Sequence, residues 1–532
     1  MPNPLVRALQ TLLLLAAAVF FALHYVHPTA DFPNNSPWMD WSKYTDEGWY
    51  GDAAIRHFQL GHWYVAGDFN PAAALPVWPF LEGLLFHFTG VSLTAARALT
   101  VTVFGGILVV SWLLLRRWSS PQALAPAVAV LLLAVSPFCY VFTRLAILEP
   151  LLILLGLLTL LAAGAASPAI EGRRLWLVVA ALGLLAPAMI LTKTTAVFLM
   201  PSIAWLLFAA VGYGWRPFLR VALPAAAVAG AIWGAYFLLL VRPHYLLDYR
   251  YLFSANAYTG ITRENAASVL RDTVRDGMWM GKLLFPLALL SVAVAAASFK
   301  RMRELPLIPT LMLWAAGYVA FLAYHDNLQP RYYLVVAVPL ILLVPYVLEQ
   351  AALPRFRRPW PLAAVCGVCL ATVALTDARA TLGYIRRPEY TLVQAAEGIR
   401  GYIDQDRRKD PQHNPLVLSI SGSDISLMTG LHSICDDFGT LQLVDRVKLF
   451  RPGWYVAWNQ IDDDKMDALT PLYHVERVAV FPAMDDPERN LLILYRLEDS
   501  IHTKPDLRHR KTIPKQLRTK VGQQPSPSQL EH

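Results

Sequence analysis

The sequence predicts an α-helical polytopic membrane protein with a small α/β domain outside the bilayer, and three observations carry that prediction. Of 532 residues, 56% are hydrophobic, and the mean hydropathy is +0.41. Only 16% of positions are charged, against roughly 25% in an average soluble domain. The apolar residues are also not spread out. They gather in runs close to the roughly 20 residues a helix needs to cross hydrocarbon.

The first run, Ala8 to Val26, is longer than the apolar region of a cleaved signal peptide, and no A-x-A site follows it. It is expected to be a retained helix. Ten further runs occupy about 94–115, 122–140, 147–166, 175–192, 195–212, 221–241, 283–298, 307–323, 332–348 and 362–376, which makes about 11 transmembrane helices. With Arg7 in the cytoplasm and the chain alternating, the inner connections are Arg116-Arg117, Arg173-Arg174, Arg216 to Arg220, Lys300 to Arg303 and Arg355 to Arg358. Every basic cluster then falls on one side, as the positive-inside rule requires. Slipping one span would scatter them. The expected location is the bacterial inner membrane, N-terminus cytoplasmic and C-terminal domain periplasmic.

The net charge of +8 belongs to this orienting pattern. It does not form a stripe that could track phosphates, so nucleic acid is not an expected partner. Cys139, Cys366, Cys369 and Cys435 form no disulfide framework. The C-x-x-C pair Cys366 and Cys369 lies in an apolar run without the second ligand pair a zinc site needs.

Three domains follow. Residues 1–376 form the transmembrane unit, 377–500 a soluble α/β unit, and 501–532 a basic, polar tail without periodicity, expected to be disordered. The outer face carries a long first loop (about 28–92) with amphipathic stretches near 46–62 and 76–90, which are expected to lie along the interface. It also carries a tyrosine-rich loop (about 242–282), with Tyr245, Tyr249, Tyr251 and Tyr258, and a helix expected from Thr262 with Glu264 in its first turn. In the soluble unit, strands are expected at 416–421, 453–458, 475–481 and 491–497, and helices at 423–431 and 464–473.

Polar residues interrupt the apolar pattern at three places on the outer side. Asp46 and Glu47 follow the first span; they suit a general base and its partner, or simply the first turn of a helix capped by Thr45. Glu149 stands near a helix start, where burial is expensive without a partner or a function, and Arg144 is a candidate partner. Lys193 and Arg331 stand at the outer ends of spans, where they suit a phosphate group or act as snorkelling anchors. Taken together these residues place both signs of charge beside hydrocarbon on one membrane face. Carboxylates there can do general-base work or bind a cation, and the basic residues can hold an anionic head group. The combination fits an enzyme acting on a phospholipid-linked donor.

The same residues carry a family resemblance. Asp46-Glu47 resembles the acidic signature of the GT-C glycosyltransferases, which include the protein O-mannosyltransferases and the bacterial lipid A aminoarabinose transferases. Pro76 to Gly90 followed by Ala95 to Leu99 is similar to that family's continuation into the second span. Arg144 to Pro150 resembles its arginine-to-acid motif, Leu191-Thr192-Lys193 its lysine turn, and Arg331-Tyr332-Tyr333 with Pro339 its late arginine-tyrosine stretch. The likeness covers about residues 1–376. It implies inverting transfer of a sugar from a polyprenyl-phosphate donor to an extracytoplasmic acceptor at a periplasmic site. Asp46 would be the catalytic base, with Glu47 beside it. Arg144, Glu149, Lys193, Arg331 and Tyr332 would bind substrate. No cofactor is required, and a divalent metal ion is left open. The first loop departs from the aminoarabinose transferases: Leu75-Pro76-Val77-Trp78-Pro79 stands where they have lysine-proline-proline, which argues against an aminoarabinose donor and a lipid A acceptor. The competing reading is a transporter or flippase of lipid-linked sugars. Such carriers often show inverted repeats and helices broken at mid-membrane, and the sequence shows neither.

Overall fold

The computed structural model describes residues 4–255, 261–297, 302–325, 329–486 and 489–499. The expected tail at 501–532, Tyr258, Lys300 and Arg301 lie outside the described residues.

Helix α1 (Pro4–Leu23) exposes Leu5, Leu12, Leu15 and Val19, as suits a helix facing lipid. The two stretches expected along the interface are α2 (Asp46–Leu60) and α3 (Val77–Thr89), each closed by a glycine with positive φ, Gly61 and Gly90. Then come α4 (Leu93–Arg117), α5 (Ala125–Val135) and α6 (Pro137–Phe142). The break between the last two falls at Ser136-Pro137, where the Ser136 hydroxyl caps α6 by accepting from Cys139 N at 3.2 Å. They are followed by α7 (Leu148–Gly164), α8 (Gly172–Thr192), α9 (Met200–Ala210) and α10 (Trp215–Tyr236), which runs through a wide turn into α11 (Leu246–Ala255). The helical series before the outer domain ends with α12 (Ala266–Asp276), α13 (Leu284–Ala296), α14 (Leu307–His325), α15 (Pro330–Val347) and α16 (Trp360–Arg386).

Seven helical stretches among the described residues are long and apolar enough to cross a membrane. One bent pair, Ala266–Met280 with Leu284–Ala296, passes the same test jointly, and three shorter apolar helices span 125–135, 148–164 and 194–210. Among the described residues each expected apolar run falls mainly on helix, with a break at Ser136 inside 122–140. One expectation needs correction: α12 starts at Ala266, so Glu264 precedes its first turn. The cause is local, because the Asn265 side chain accepts from Thr262 N at 2.6 Å and closes a turn ahead of the helix.

Helix α15 is the hub. All 18 of its residues are buried, packed among α5, α7, α13 and α14. A helix apolar on every side belongs at such a centre. Pro330 at its first position leaves no orphan amide there, and Arg331 and Tyr332 follow at its outer end.

Beyond α16 come α17 (Thr391–Lys409), α18 (Gly422–Thr429), α19 (Leu443–Phe450) and α20 (Asp463–Leu469), with a sheet of β1 (Val417–Leu418), β2 (Ser433–Ile434), β3 (Trp454–Trp458), β4 (Tyr473–Pro482) and β5 (Leu491–Asp499). The strand order is β2-β1-β3-β5-β4. β1 is parallel to both neighbours, with Val417 opposite Ser433 and Trp454, whereas β5 runs antiparallel to β3 and β4. The strand expected at 416–421 pairs only over Val417 and Leu418. The helix expected at 464–473 ends at Leu469, because Tyr473 already pairs in β4. This domain packs on the first outer loop. Asp31 accepts from Leu392 N at 2.8 Å and Val393 N at 3.3 Å, capping α17, and α18 lies against α2.

Candidate active site

The site begins with a short turn. Asp40 accepts from Ser42 N at 2.8 Å and so starts the single turn Trp41–Lys43 that leads into α2. Its carboxylate also accepts from the Arg331 backbone N at 2.8 Å and pairs with the Arg331 guanidinium. Asp40 therefore ties the entrance of α2 to the outer end of α15. The same guanidinium reaches Asp46, with Nη2 2.8 Å from Oδ2. That contact is a close ion pair outside hydrogen-bond geometry, and Asp46 Oδ2 receives no aimed donor among the described residues. Oδ1 accepts from the Thr45 hydroxyl at 3.1 Å.

Glu149, in the first turn of α7, pairs with Lys193 through Oε1, and Arg331 Nε stands 3.9 Å from that oxygen. Lys193 sits where α8 ends, its backbone extended, so the ammonium leaves the helix axis and reaches inward. Both cations lie over one ring: Lys193 Nζ is 4.2 Å and the Arg331 guanidinium 4.7 Å from the Tyr332 centroid. Such a face holds cations without neutralising them. Arg331 Nη2 also donates to the Tyr332 hydroxyl at 3.3 Å.

Asp46, Glu149, Lys193, Arg331 and Tyr332 are therefore one buried group. Glu47 and Arg144 stand apart from it. Both oxygens of Glu47 are taken, by Arg97 Nε at 2.8 Å, by Arg97 Nη2 at 2.5 Å and by Ala146 N at 2.8 Å. Glu47 thus pins α2 to α4 and to the turn ahead of α7. Arg144 turns the other way, donating to the Tyr140 hydroxyl at 2.7 Å and to the His27 carbonyl, with its guanidinium over the Tyr140 ring. It lines a separate recess with His27, Asp31, Tyr384 and Arg387. The partner of Glu149 is Lys193.

Burial pushes the Asp46 carboxyl above the usual carboxylate range, and the Arg331 charge opposes that rise. A raised carboxyl is better matched to accepting a proton near neutrality. Among the described residues no three histidine, cysteine or carboxylate side chains converge as metal ligands, and one oxygen each of Asp40, Asp46 and Glu149 faces Arg331 or Lys193.

Sequence reasoning missed Asp40, the strongest partner of Arg331. It also gave no role to Arg97, although an arginine opening an apolar span carries the signal that singled out Lys193.

The fold has solved counterparts. ArnT from Cupriavidus metallidurans in the apo state is 16% identical with a TM-score of 0.58, and the match covers 92% of this chain and 98% of that one. The same protein bound to undecaprenyl phosphate matches at 16% identity and TM-score 0.57, over 91% and 97%. The apo oligosaccharyltransferase from Archaeoglobus fulgidus matches at 11% identity and TM-score 0.52, over 93% and 75%. No protein-family model matches the chain, and no curated protein matches it in sequence. The chain shares the fold of these solved proteins, a bundle of apolar helices long enough to cross a membrane joined to an outer sheet domain. The likeness extends past residue 376, into the outer sheet domain.

Proposed function

We propose that this chain is a membrane glycosyltransferase that moves a sugar from a polyprenyl-phosphate donor to an extracytoplasmic acceptor with inversion. The carrying observation is Asp46. It is a buried carboxylate with one oxygen free of aimed donors, beside two cations stacked on Tyr332. The acceptor hydroxyl gives its proton to Asp46 as its oxygen bonds to the sugar's anomeric carbon. The bond from that carbon to the phosphate oxygen breaks, and the electron pair leaves with the polyprenyl phosphate. Lys193 and Arg331 neutralise the charge that develops there, a role for preorganised cations in a water-poor site, and Tyr332 keeps both in place. Glu149 sets the position of Lys193. Glu47 holds α2 so that Asp46 faces the acceptor, and Arg144 holds the His27 carbonyl behind it. That a protein of the same fold binds undecaprenyl phosphate supports a polyprenyl carrier. The basic inner loops support a site on the periplasmic side of a bacterial inner membrane.

The test is mass spectrometry of surface glycolipids and glycoproteins from cells with and without the gene, complemented by wild type or Asp46→Asn. A sugar is expected to disappear without the gene and to return only with wild type, while purified Asp46→Asn still binds undecaprenyl phosphate. An unchanged glycan profile, or full rescue by Asp46→Asn, refutes the proposal.

A further inference from the structure

The first amides of a helix need acceptors that the helix cannot supply. At the start of α2 the residue in the cap position is Thr45, yet its single hydroxyl proton is shared between the Trp41 carbonyl and Asp46 Oδ1, each at 3.1 Å, and the side chain caps nothing. The missing acceptor arrives from far along the chain: Asp424, in the first turn of α18, accepts from Gly48 N at 3.1 Å in a buried contact. Gly48 is the third residue of α2, and its amide is one that an N-cap side chain ordinarily satisfies. The two helices touch through their backbones here, since a Cβ on Gly48 would fall 2.2 Å from both Asp424 N and the Ser423 carbonyl carbon. Ser423 donates to Asp52 Oδ1 at 2.7 Å, and the Trp49 indole donates to the Ile420 carbonyl at 2.9 Å. The seam runs along the first two turns of α2, the helix that carries Asp46.

We infer that Asp424 is a positioning residue of the transfer reaction: it caps α2 from the outer domain and so fixes where Asp46 presents its carboxylate beside Arg331. The inference rests on the transferase reading above. It makes the outer domain part of the catalytic apparatus. The cap needs an acceptor oxygen and no charge, because burial and the neighbouring Glu47 hold the Asp424 carboxyl well above its ordinary range, and a neutral carboxyl still accepts through its carbonyl oxygen. Asparagine should therefore replace it, and alanine should not.

The experiment uses the full chain in lipid nanodiscs, with three readouts on Asp424→Ala, Asp424→Asn and Ser423→Ala: glycan product per folded enzyme, affinity for undecaprenyl phosphate as the probe, and amide exchange over residues 45–52. Asp424→Ala is expected to lower the turnover per folded enzyme by about 10- to 100-fold, the scale of a small misplacement of a catalytic group. It should leave undecaprenyl phosphate affinity within about 2-fold and accelerate exchange over 45–52. Asp424→Asn should restore all three, and Ser423→Ala, which loosens the same seam but spares the cap, should keep its turnover within about 3-fold. The inference is overturned by a wild-type rate in Asp424→Ala, by failure of Asp424→Asn to rescue, or by equal losses in Asp424→Ala and Ser423→Ala. If Asp424→Ala does not accumulate, Asp424→Asn decides: a near-wild-type rate supports the role, and a loss beyond about 10-fold refutes it. A wild type that makes no product defeats the transferase reading and the positioning role with it. Slow exchange over 45–52 in that protein would identify the cap as purely structural.

Discussion

Replacing Arg97 with methionine keeps the length and apolar stem of the side chain and removes only its guanidinium. In the folded chain that group makes two charged hydrogen bonds to Glu47, at 2.8 and 2.5 Å, and donates to the Pro28 and Ala30 carbonyls at 3.0 and 2.6 Å. Arg97 and Glu47 are each almost wholly enclosed. After the substitution Glu47 retains, among the described residues, only the Ala146 amide, and it lies near the buried Glu82 carboxyl, whose charge would repel it. Breaking one side of a buried pair costs about 3–5 kcal/mol, because the remaining charge is left uncompensated. Each orphaned carbonyl adds about 1 kcal/mol. The total, about 5–7 kcal/mol, is a large part of the ~5–15 kcal/mol that holds a typical fold together. The double variant Arg97→Met with Glu47→Gln removes both charges and should recover about 2 kcal/mol or more. Unfolding of detergent-solubilised protein, followed by tryptophan fluorescence, measures both. The reasoning fails if Arg97→Met lies within about 1 kcal/mol of wild type, or if the double variant is no more stable than the single one.

Three further outcomes are expected. Gly48→Ala places a methyl group inside the α2–α18 backbone contact. It should destabilise by about 1–3 kcal/mol and reduce transfer; a fully active, fully stable variant would show that the two helices can separate freely. Because burial raises the Asp46 carboxyl and Arg331 opposes the rise, the rate should climb with pH along a limb above the ordinary carboxylate value of about 3.9. Arg331→Gln should move that limb higher still, and a shift downward in the pH–kcat profile would contradict the assignment. Asp52 is raised to about 7, chiefly by burial, against the lowering effect of Arg56. Between its unfolded value and about 7 the fold therefore holds a proton that the unfolded chain has lost, so stability contributed here falls as pH rises through that window. Asp52→Asn should flatten the slope relative to wild type in denaturant titrations from pH 4 to 8, and an unchanged slope would refute the claim.

Much of the candidate site is legible in the sequence. Asp46, Glu149, Lys193 and Arg331 each break an apolar pattern on the same side of the bilayer, and a charge beside hydrocarbon needs a reason to be there. Their convergence follows from membrane topology, which confines them to one thin layer. The partners were not legible in the same way. Glu149 lies five residues from Arg144, yet the turn between them aims the arginine at Tyr140 and His27, and the lysine that ends α8 takes its place. Arg331 appeared to be an isolated cation until α15 brought it to Asp40, 291 residues away. Short strands were also obscure: β2 has two residues and exists only through its parallel pairing with β1, a partner that local propensity does not encode.

What the sequence determined by itself is the series of apolar helices and the end of the bundle at which the charged residues gather. Hydrocarbon imposes those through the cost of unsatisfied backbone and misplaced charge, both of which can be read one segment at a time. The tertiary structure alone decided the pairing at that end: Arg331 between Asp40 and Asp46, Lys193 on Glu149, Glu47 locked by Arg97, and Asp424 reaching back to Gly48. A buried ion pair or cap depends on distances of about 3 Å between groups far apart in the chain. Only the packing of the helices sets those distances.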